Sequence, residues 1–151
     1  RMQRFDEQRK LAEQMIALQP HDPVFESEYG EILLADARDL NKAEHWLLRA
    51  MRIQRSQSHV YESLARCREK QRRFAEVERL RKIASCLSPS SEFYAMSYMD
   101  ACRAVGHIEQ GLTYLRSRVA TYGPKDSGPW LTLAQAYNQL HRLAEARESI
   151  Q

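Results

Sequence analysis

The fold is decided by Leu40-Asn41-Lys42-Ala43 and by three segments like it: Phe74-Ala75-Glu76-Val77, Ile108-Glu109-Gln110-Gly111 and Leu143-Ala144-Glu145-Ala146. Their leading apolar residues are 34, 34 and 35 positions apart, and a small or short residue stands three places after each. Phe5 lies 35 positions before Leu40 and fits the same pattern. Regular spacing of this length indicates an internal repeat built from one supersecondary unit.

Each interval contains two helical stretches separated by turn residues. The chain has only five Gly and five Pro, and Ser, Asp and Pro cluster before the first helix of each pair, as in Ser88-Pro89-Ser90-Ser91. Ser and Asp cap new helices, and Pro ends old ones. In the second helices the apolar residues recur at three- and four-residue spacing, which is typical of an amphipathic helix. The pattern predicts a lone helix and four helix pairs, at about 5–18, 24–53, 58–87, 92–122 and 127–150.

Isolated pairs of such helices cannot bury their apolar faces, whereas stacked pairs can. We therefore expect an all-α protein, a right-handed superhelical α-solenoid of antiparallel helix pairs. We expect one array over residues 1–151, as a fragment of a longer protein. Its predicted divisions are a half-repeat and four repeats, at 3–19 and about 24–57, 58–91, 92–126 and 127–151.

The repeat resembles the tetratricopeptide repeat, a helix pair of this length with small and aromatic residues at set positions. The last unit carries the resemblance most clearly, through Trp130, Leu133, Ala134, Tyr137, Ala146 and Ile150. Two departures are Arg81, at a position that is usually aromatic, and Gly30, one place early. The resemblance implies a concave groove, lined by the first helices, that receives a peptide or a helix of a partner protein.

The same resemblance indicates which residues would line the groove. They are Tyr29, Ile32, Glu62, Arg66, Glu69, Met96, Asp100, Arg103, Leu131, Gln135 and Asn138. The alternative is that these positions form an ordinary solvated helix face. The Lys/Asn/Arg clamp that some tetratricopeptide proteins use for chaperone C-termini is missing, because Glu28, Ser63 and Phe93 occupy matching positions.

A basic cluster runs from Arg49 to Lys82, with eleven Lys and Arg against four Glu. Side chains on helices point in several directions, and many can pair with Glu one turn away, so a solvated face is the first interpretation. An acidic protein or a nucleic acid could also bind such a cluster. The absence of interleaved aromatic residues argues against nucleic acid. The net charge of only +3 argues the same way.

No feature of the sequence indicates catalysis. It contains no His-Glu-x-x-His motif and no Gly-rich phosphate loop, and its five His are scattered. We expect no enzyme activity, no cofactor and no metal. Cys67, Cys86 and Cys102 lack metal-ligand spacing and are interpreted as small core residues, which favours a reducing compartment such as the cytoplasm. No apolar run is long enough to span a membrane.

Three functions remain open after the sequence. The first is a scaffold for protein–protein interaction that binds a peptide or protein in its groove. The second is homo-oligomerisation, or a regulatory arm of a larger multidomain protein, since Phe5 begins an unpaired helix and Ile150 closes a unit without a polar capping helix. The third is weak binding of nucleic acid or an acidic partner through the Arg49–Lys82 cluster.

Overall fold

The computed structural model describes residues 2–149, so Ile150 lies outside the described residues. This part of the chain is all-α and contains no strand. Its helices are α1 (Met2–Leu18), α2 (Pro23–Asp36), α3 (Leu40–Ile53), α4 (Ser58–Lys70), α5 (Phe74–Leu87), α6 (Glu92–Val105), α7 (Ile108–Tyr122), α8 (Gly128–Gln139) and α9 (Leu143–Glu148). The predicted all-α class is confirmed, and the helix pairs lie within one or two residues of their predicted positions.

The second helices α3, α5, α7 and α9 begin at the four apolar residues that defined the period. Side chains cap α2, α3 and α6, where the backbone amides of Val24, Lys42 and Tyr94 donate hydrogen bonds to the side-chain oxygens of Asp22 (2.8 Å), Asp39 (2.9 Å) and Ser91 (3.4 Å), respectively. These bonds satisfy amides that the first turn of a helix leaves without partners. Before α4 the N-cap is Gln57, whose side chain makes no capping bond, so the predicted Ser cap does not form there.

Two compact units make up the chain, Arg1–Ala84 and Ser85–Gln151. In the first unit α2 packs on α1 and α3, and α3 packs on α4. Consecutive helices joined by such short loops run antiparallel. The core of this unit is formed by fully buried aliphatic residues on α2, α3 and α4, which are Leu33, Leu34, Ala43, Leu47, Ala50, Val60 and Leu64.

Gly30 marks the closest approach of α2 to α3. A Cβ atom built there would lie 2.7 Å from Cγ of Leu47 and 3.2 Å from the Leu47 backbone nitrogen. Both distances are shorter than ordinary van der Waals contact, so the two helices can meet here only because residue 30 has no side chain. The early position of this glycine in the repeat therefore reflects packing against Leu47.

We expect Gly30→Val to lower the free energy of unfolding by about 1–3 kcal/mol, because the added atoms overpack the contact with Leu47. Urea unfolding followed by circular dichroism measures the change. Ala35→Val is the matched control, since it adds a valine to an exposed position of the same helix. Valine has a higher helix propensity than glycine, so a Gly30→Val variant that is no less stable than the original chain would contradict close packing of residue 30 against Leu47.

The second unit has its own core, in which α6, α7 and α8 contact one another and α8 contacts α9. One cluster joins the four helices through Ala95, Met99, Leu112, Leu115, Val119, Leu133, Ala136, Tyr137 and Ala146. Small residues permit close helix approach here as well, since Gly111 lies against Met99 and Cys102.

The amphipathic pattern overestimated burial on the second helices α3 and α5. Ile53, Ile83 and Leu87 share the spacing of buried neighbours, yet each is more than a third exposed. Ile53 and Leu87 are the last residues of their helices, where fewer neighbouring side chains surround them. In residues 2–149 no helix combines the length and the apolar character that crossing a bilayer requires.

Candidate interaction surfaces

Tyr29, the first predicted groove residue, belongs to the interior of the first unit. Its side chain is 1% exposed, its ring packs edge-on against Trp46 (centroids 5.3 Å apart), and its hydroxyl hydrogen-bonds to Glu13. Tyr29 therefore joins α1, α2 and α3 and is not accessible to a partner.

Ile32 lines an open apolar groove between α1 and α2. The groove has a volume of about 290 Å³. Its apolar lining is formed by Leu11, Ala12, Met15, Val24, Phe25 and Ile32, and Gln8 and Glu28 add polar groups. Leu11 and Val24 are 59% and 50% exposed, so the groove presents apolar side chains to solvent. We call it the α1/α2 groove.

On α4 the predicted groove residues Glu62 and Glu69 face Arg81 of α5. The Arg81 side chain is buried, and its nitrogens lie 3.3 Å from Glu62 Oε1 and 3.1 Å from Glu69 Oε2. Arginine thus takes the usual aromatic position because two carboxylates on the preceding helix compensate its charge. Glu62 is buried with it, whereas Arg66, between the two carboxylates, is exposed.

In the second unit the predicted residues of α6 range from half-buried to exposed. Met96 packs against the core cluster on one side. Asp100 and Arg103 form an ion pair (3.1 Å) at the surface, and both side chains are more than a third exposed. Phe93, one turn before Met96, is 64% exposed, although the family resemblance indicates it only as a clamp position and not as a groove residue.

Helix α8 presents Leu131, Gln135 and Asn138 at three- and four-residue spacing, and all three are exposed. Leu131 is 56% exposed, so this face presents an apolar side chain to solvent. Because α6 and α8 contact each other within this unit, these residues and those of α6 lie on neighbouring helices. We call the exposed residues Phe93, Asp100, Arg103, Leu131, Gln135 and Asn138 the α6/α8 face.

The Arg49–Lys82 cluster contains several internal ion pairs. Arg68 and Arg73 both contact Glu44 and Glu76, at distances between 2.6 and 3.1 Å. The hydrogen bond from Arg73 holds the pKa of Glu76 below its usual value. Arg49 is likewise paired with Glu26. These ion pairs neutralise part of the positive charge of the cluster. This agrees with the interpretation of the cluster as a solvated, ion-paired face.

The three cysteines are free thiols. Cys67 and Cys102 are buried, and burial raises the pKa of the Cys67 thiol above its usual value. Cys86 is exposed, in contrast to the core position expected of all three.

Comparison with known proteins places this arrangement among helical repeats. No protein-family model and no curated protein sequence matches the chain. Among solved structures, tetratricopeptide-like repeats of a Podosopora anserina putative kinesin light chain superpose with a TM-score of 0.75 at 19% identity, covering 97% of this chain and 83% of that one. MamA gives 0.71 at 12% identity, covering 97% and 84%.

A third structure, YrrB, is described as a tetratricopeptide protein with an unusual peptide-binding site. It gives a TM-score of 0.68 at 13% identity and covers 91% of this chain and 70% of that one. Identities this low relate folds, not binding sites. Together with the helix pairs and their period, these three superpositions show that this chain has the tetratricopeptide-type α-solenoid fold.

Proposed function

We propose that the chain is a scaffold for protein–protein interaction that binds a peptide or protein partner and has no catalytic role. The observation that carries the proposal is the exposure of large apolar side chains on first helices, above all Phe93 and Leu131 on the α6/α8 face. Contiguous exposed apolar residues with a polar rim are typical of protein-binding surfaces.

The composition of the α6/α8 face supports a peptide-like partner. Apolar Phe93 and Leu131 can supply desolvated contact area, while the side chains of Gln135 and Asn138 can hydrogen-bond a peptide backbone. The Asp100–Arg103 pair contributes charges of both signs. In the first unit the predicted groove residues that remain accessible are Ile32, Arg66 and Glu69, and the Glu69 side chain is 43% exposed although it pairs with Arg81.

The fold comparisons are consistent with this proposal, since one neighbour is described by a peptide-binding site. Three free thiols fit a reducing compartment, and we propose the cytoplasm. Partner binding through the Arg49–Lys82 cluster is the weaker proposal, because Arg49, Arg68, Arg73 and Arg81 already pair with carboxylates of this chain.

Site-specific photocrosslinking tests the proposal. A benzophenone side chain at Leu131 is expected to crosslink a partner from native extract, and the same group at exposed Ala120 of α7 is the matched control. The crosslink at position 131 should be lost when Asp100→Lys is added, with unchanged circular dichroism. Equal crosslinking at positions 131 and 120, or none at either, would contradict binding on the α6/α8 face.

A companion pull-down addresses the first unit. Arg66→Glu changes an exposed charge without touching the core, so its fold should be preserved. We expect the captured partner to be reduced at least about fivefold when Arg66→Glu and Asp100→Lys are combined, through lost contacts and electrostatic mismatch. Undiminished recovery by this double variant would exclude both predicted faces.

A further inference from the structure

The exposed residues of helix α4 are all basic. The helix lies between α3 and α5 in the sequence, and all 13 of its residues are described. Those that are exposed are His59, Arg66 and Lys70, whose spacings of seven and four residues place them along one side of the helix. We call these three residues the α4 basic stripe.

Arg66 lies where two carboxylates of its own helix could pair with it. Glu62 precedes it by four residues and Glu69 follows it by three, and these spacings favour ion pairs on a helix surface. The buried Arg81 of α5 binds both carboxylates instead, at 3.3 Å from Glu62 Oε1 and at 3.2 and 3.1 Å from the two oxygens of Glu69. The arginine that replaces the usual aromatic residue of the repeat thus takes the partners that Arg66 would otherwise have.

Lys70 is in the same situation one turn further along α4. In the part of the chain that the structure describes, no carboxylate lies within ion-pairing distance of Arg66 or Lys70. Glu31 of the neighbouring α2 accepts a hydrogen bond (2.7 Å) from the hydroxyl of Ser63 instead. Two like charges one helical turn apart repel each other, and an anion bound to both would convert this repulsion into attraction.

The spacing of Arg66 and Lys70 indicates the conformation of an acidic ligand. Side chains four residues apart on a helix have Cβ atoms about 5–6 Å apart. In an extended peptide, side chains two residues apart lie on the same side at about 7 Å, whereas adjacent side chains point to opposite sides. Two acidic residues at alternate positions of an extended segment can therefore reach both cations. A docked helix is disfavoured, because it would need an apolar surface and the exposed residues of α4 are all basic.

The surroundings of the stripe favour a protein segment over a nucleic acid. Glu31 lies beside α4 one turn before Arg66, and the Glu69 side chain is 43% exposed. A continuous phosphate backbone along the stripe would meet both carboxylates, whereas two acidic side chains need to contact only Arg66 and Lys70. No Phe, Tyr or Trp of α4 is exposed for bases to stack on, since Tyr61 is buried.

We propose that the α4 basic stripe binds an extended acidic segment of a partner protein, in which two Asp or Glu at alternate positions contact Arg66 and Lys70. These 151 residues, and a second copy of them, offer no such segment, because acidic residues two positions apart occur only at Glu26/Glu28 and Glu76/Glu78, within α2 and α5. The inference rests on the proposed scaffold function and adds the chemical class of the segment that the first unit binds. Its determinant is charge complementarity at a fixed spacing.

Synthetic peptides with acetylated and amidated ends test the proposal, since their only charges are those of the side chains. Glu and Ser alternate in the first peptide, which we call the alternating peptide. A second peptide of the same composition carries its Glu residues in adjacent pairs, and a third carries Gln in place of Glu. Fluorescence anisotropy at low salt should show that the alternating peptide binds at least about fivefold more tightly than the second, and that the third does not bind.

Replacement of both cations, in Arg66→Gln/Lys70→Gln, should weaken the alternating peptide at least about tenfold. Arg52→Gln/Arg55→Gln is the matched control, because it removes two exposed arginines of the same unit and should change the affinity less than about twofold. Charge inversion in Arg66→Glu/Lys70→Glu should transfer binding to a peptide in which Lys alternates with Ser.

Equal weakening by the two Gln variants would overturn the proposal, since the peptide would then respond to net charge and not to the stripe. An oligothymidylate that binds more tightly than the alternating peptide, with the same dependence on Arg66 and Lys70, would also overturn it in favour of nucleic acid. So would an absence of peptide binding together with self-association that Arg66→Gln/Lys70→Gln abolishes. Crosslinking at Leu131 is independent of these results, so the scaffold function stands or fails separately.

Discussion

Replacement of Arg49 by Met is expected to lower the free energy of unfolding by about 3–5 kcal/mol, because it leaves a buried carboxylate without its counterion. Glu26 is 0% exposed, and its Oε1 lies 2.7 Å from a guanidinium nitrogen of Arg49. No hydrogen bond from a described residue reaches the second oxygen, Oε2. The guanidinium also lies over the ring of Trp46, 4.7 Å from its centroid. Urea unfolding at neutral pH measures the loss.

The double variant Glu26→Met/Arg49→Met separates charge burial from lost packing. With both charges removed, the site becomes an apolar contact, and the double variant should be more stable than Arg49→Met alone. A double variant as unstable as the single one would show that the packing of Arg49 on Trp46, and not its charge, stabilises this part of the first unit.

The second large effect is expected from Arg118→Met in the second unit, at about 2–4 kcal/mol. Arg118 is 3% exposed. It donates two hydrogen bonds of 2.7 Å to Glu92 and a third of 3.1 Å to the Pro89 carbonyl. Its loss would leave Glu92 and the Pro89 carbonyl without this partner. Arg103→Met is the matched control, because Arg103 is an exposed arginine of the same unit in a surface ion pair with Asp100, and its replacement should cost less than about 0.5 kcal/mol.

The pH dependence distinguishes the ion pair from simple packing. Burial by itself raises the pKa of Glu92, but the hydrogen bonds from Arg118 and Thr132 lower it by a larger amount. The pKa of Glu92 in the folded protein therefore lies below its usual value. A carboxyl group of this kind stabilises the fold above its unfolded pKa, and that contribution is lost as pH falls through the folded pKa. The original chain should therefore lose more stability than Arg118→Met between pH 7 and about pH 3. Parallel losses in the two proteins would contradict a stabilising pair.

The order and type of the helices could be predicted from the sequence because they depend on local signals. Leu40, Phe74, Ile108 and Leu143 recur at one period, and the helices α3, α5, α7 and α9 begin at these residues. Helix propensity, capping and a three- to four-residue apolar spacing all act over a few residues. The repeat divisions, which also depend on how whole pairs pack, stay a prediction.

The candidate surfaces could be predicted only in part. The tetratricopeptide resemblance indicated Leu131, Gln135 and Asn138 as groove residues of α8, and all three are exposed. The same reasoning chose Tyr29 and Glu62, which are buried. First helices of a stacked array contact several neighbours, so periodicity along one helix does not tell which face a neighbouring helix covers. That is decided by contacts between residues far apart in sequence.

The sequence by itself determined an all-α repeat of about 34 residues and the approximate bounds of its helix pairs, because those features follow from interactions within one or two turns. Only the tertiary structure decided which charges are neutralised and which apolar side chains remain at the surface. Arg118 hydrogen-bonds to Glu92, which is 26 residues away in sequence, and Ser63 hydrogen-bonds to Glu31, which is 32 residues away. Counted from Phe5, Leu11 stands in the repeat where the half-buried Trp46 and Tyr114 stand, yet it is 59% exposed in the α1/α2 groove. Burial depends on which neighbouring helix is present to exclude water, and that is a property of packing rather than of local sequence.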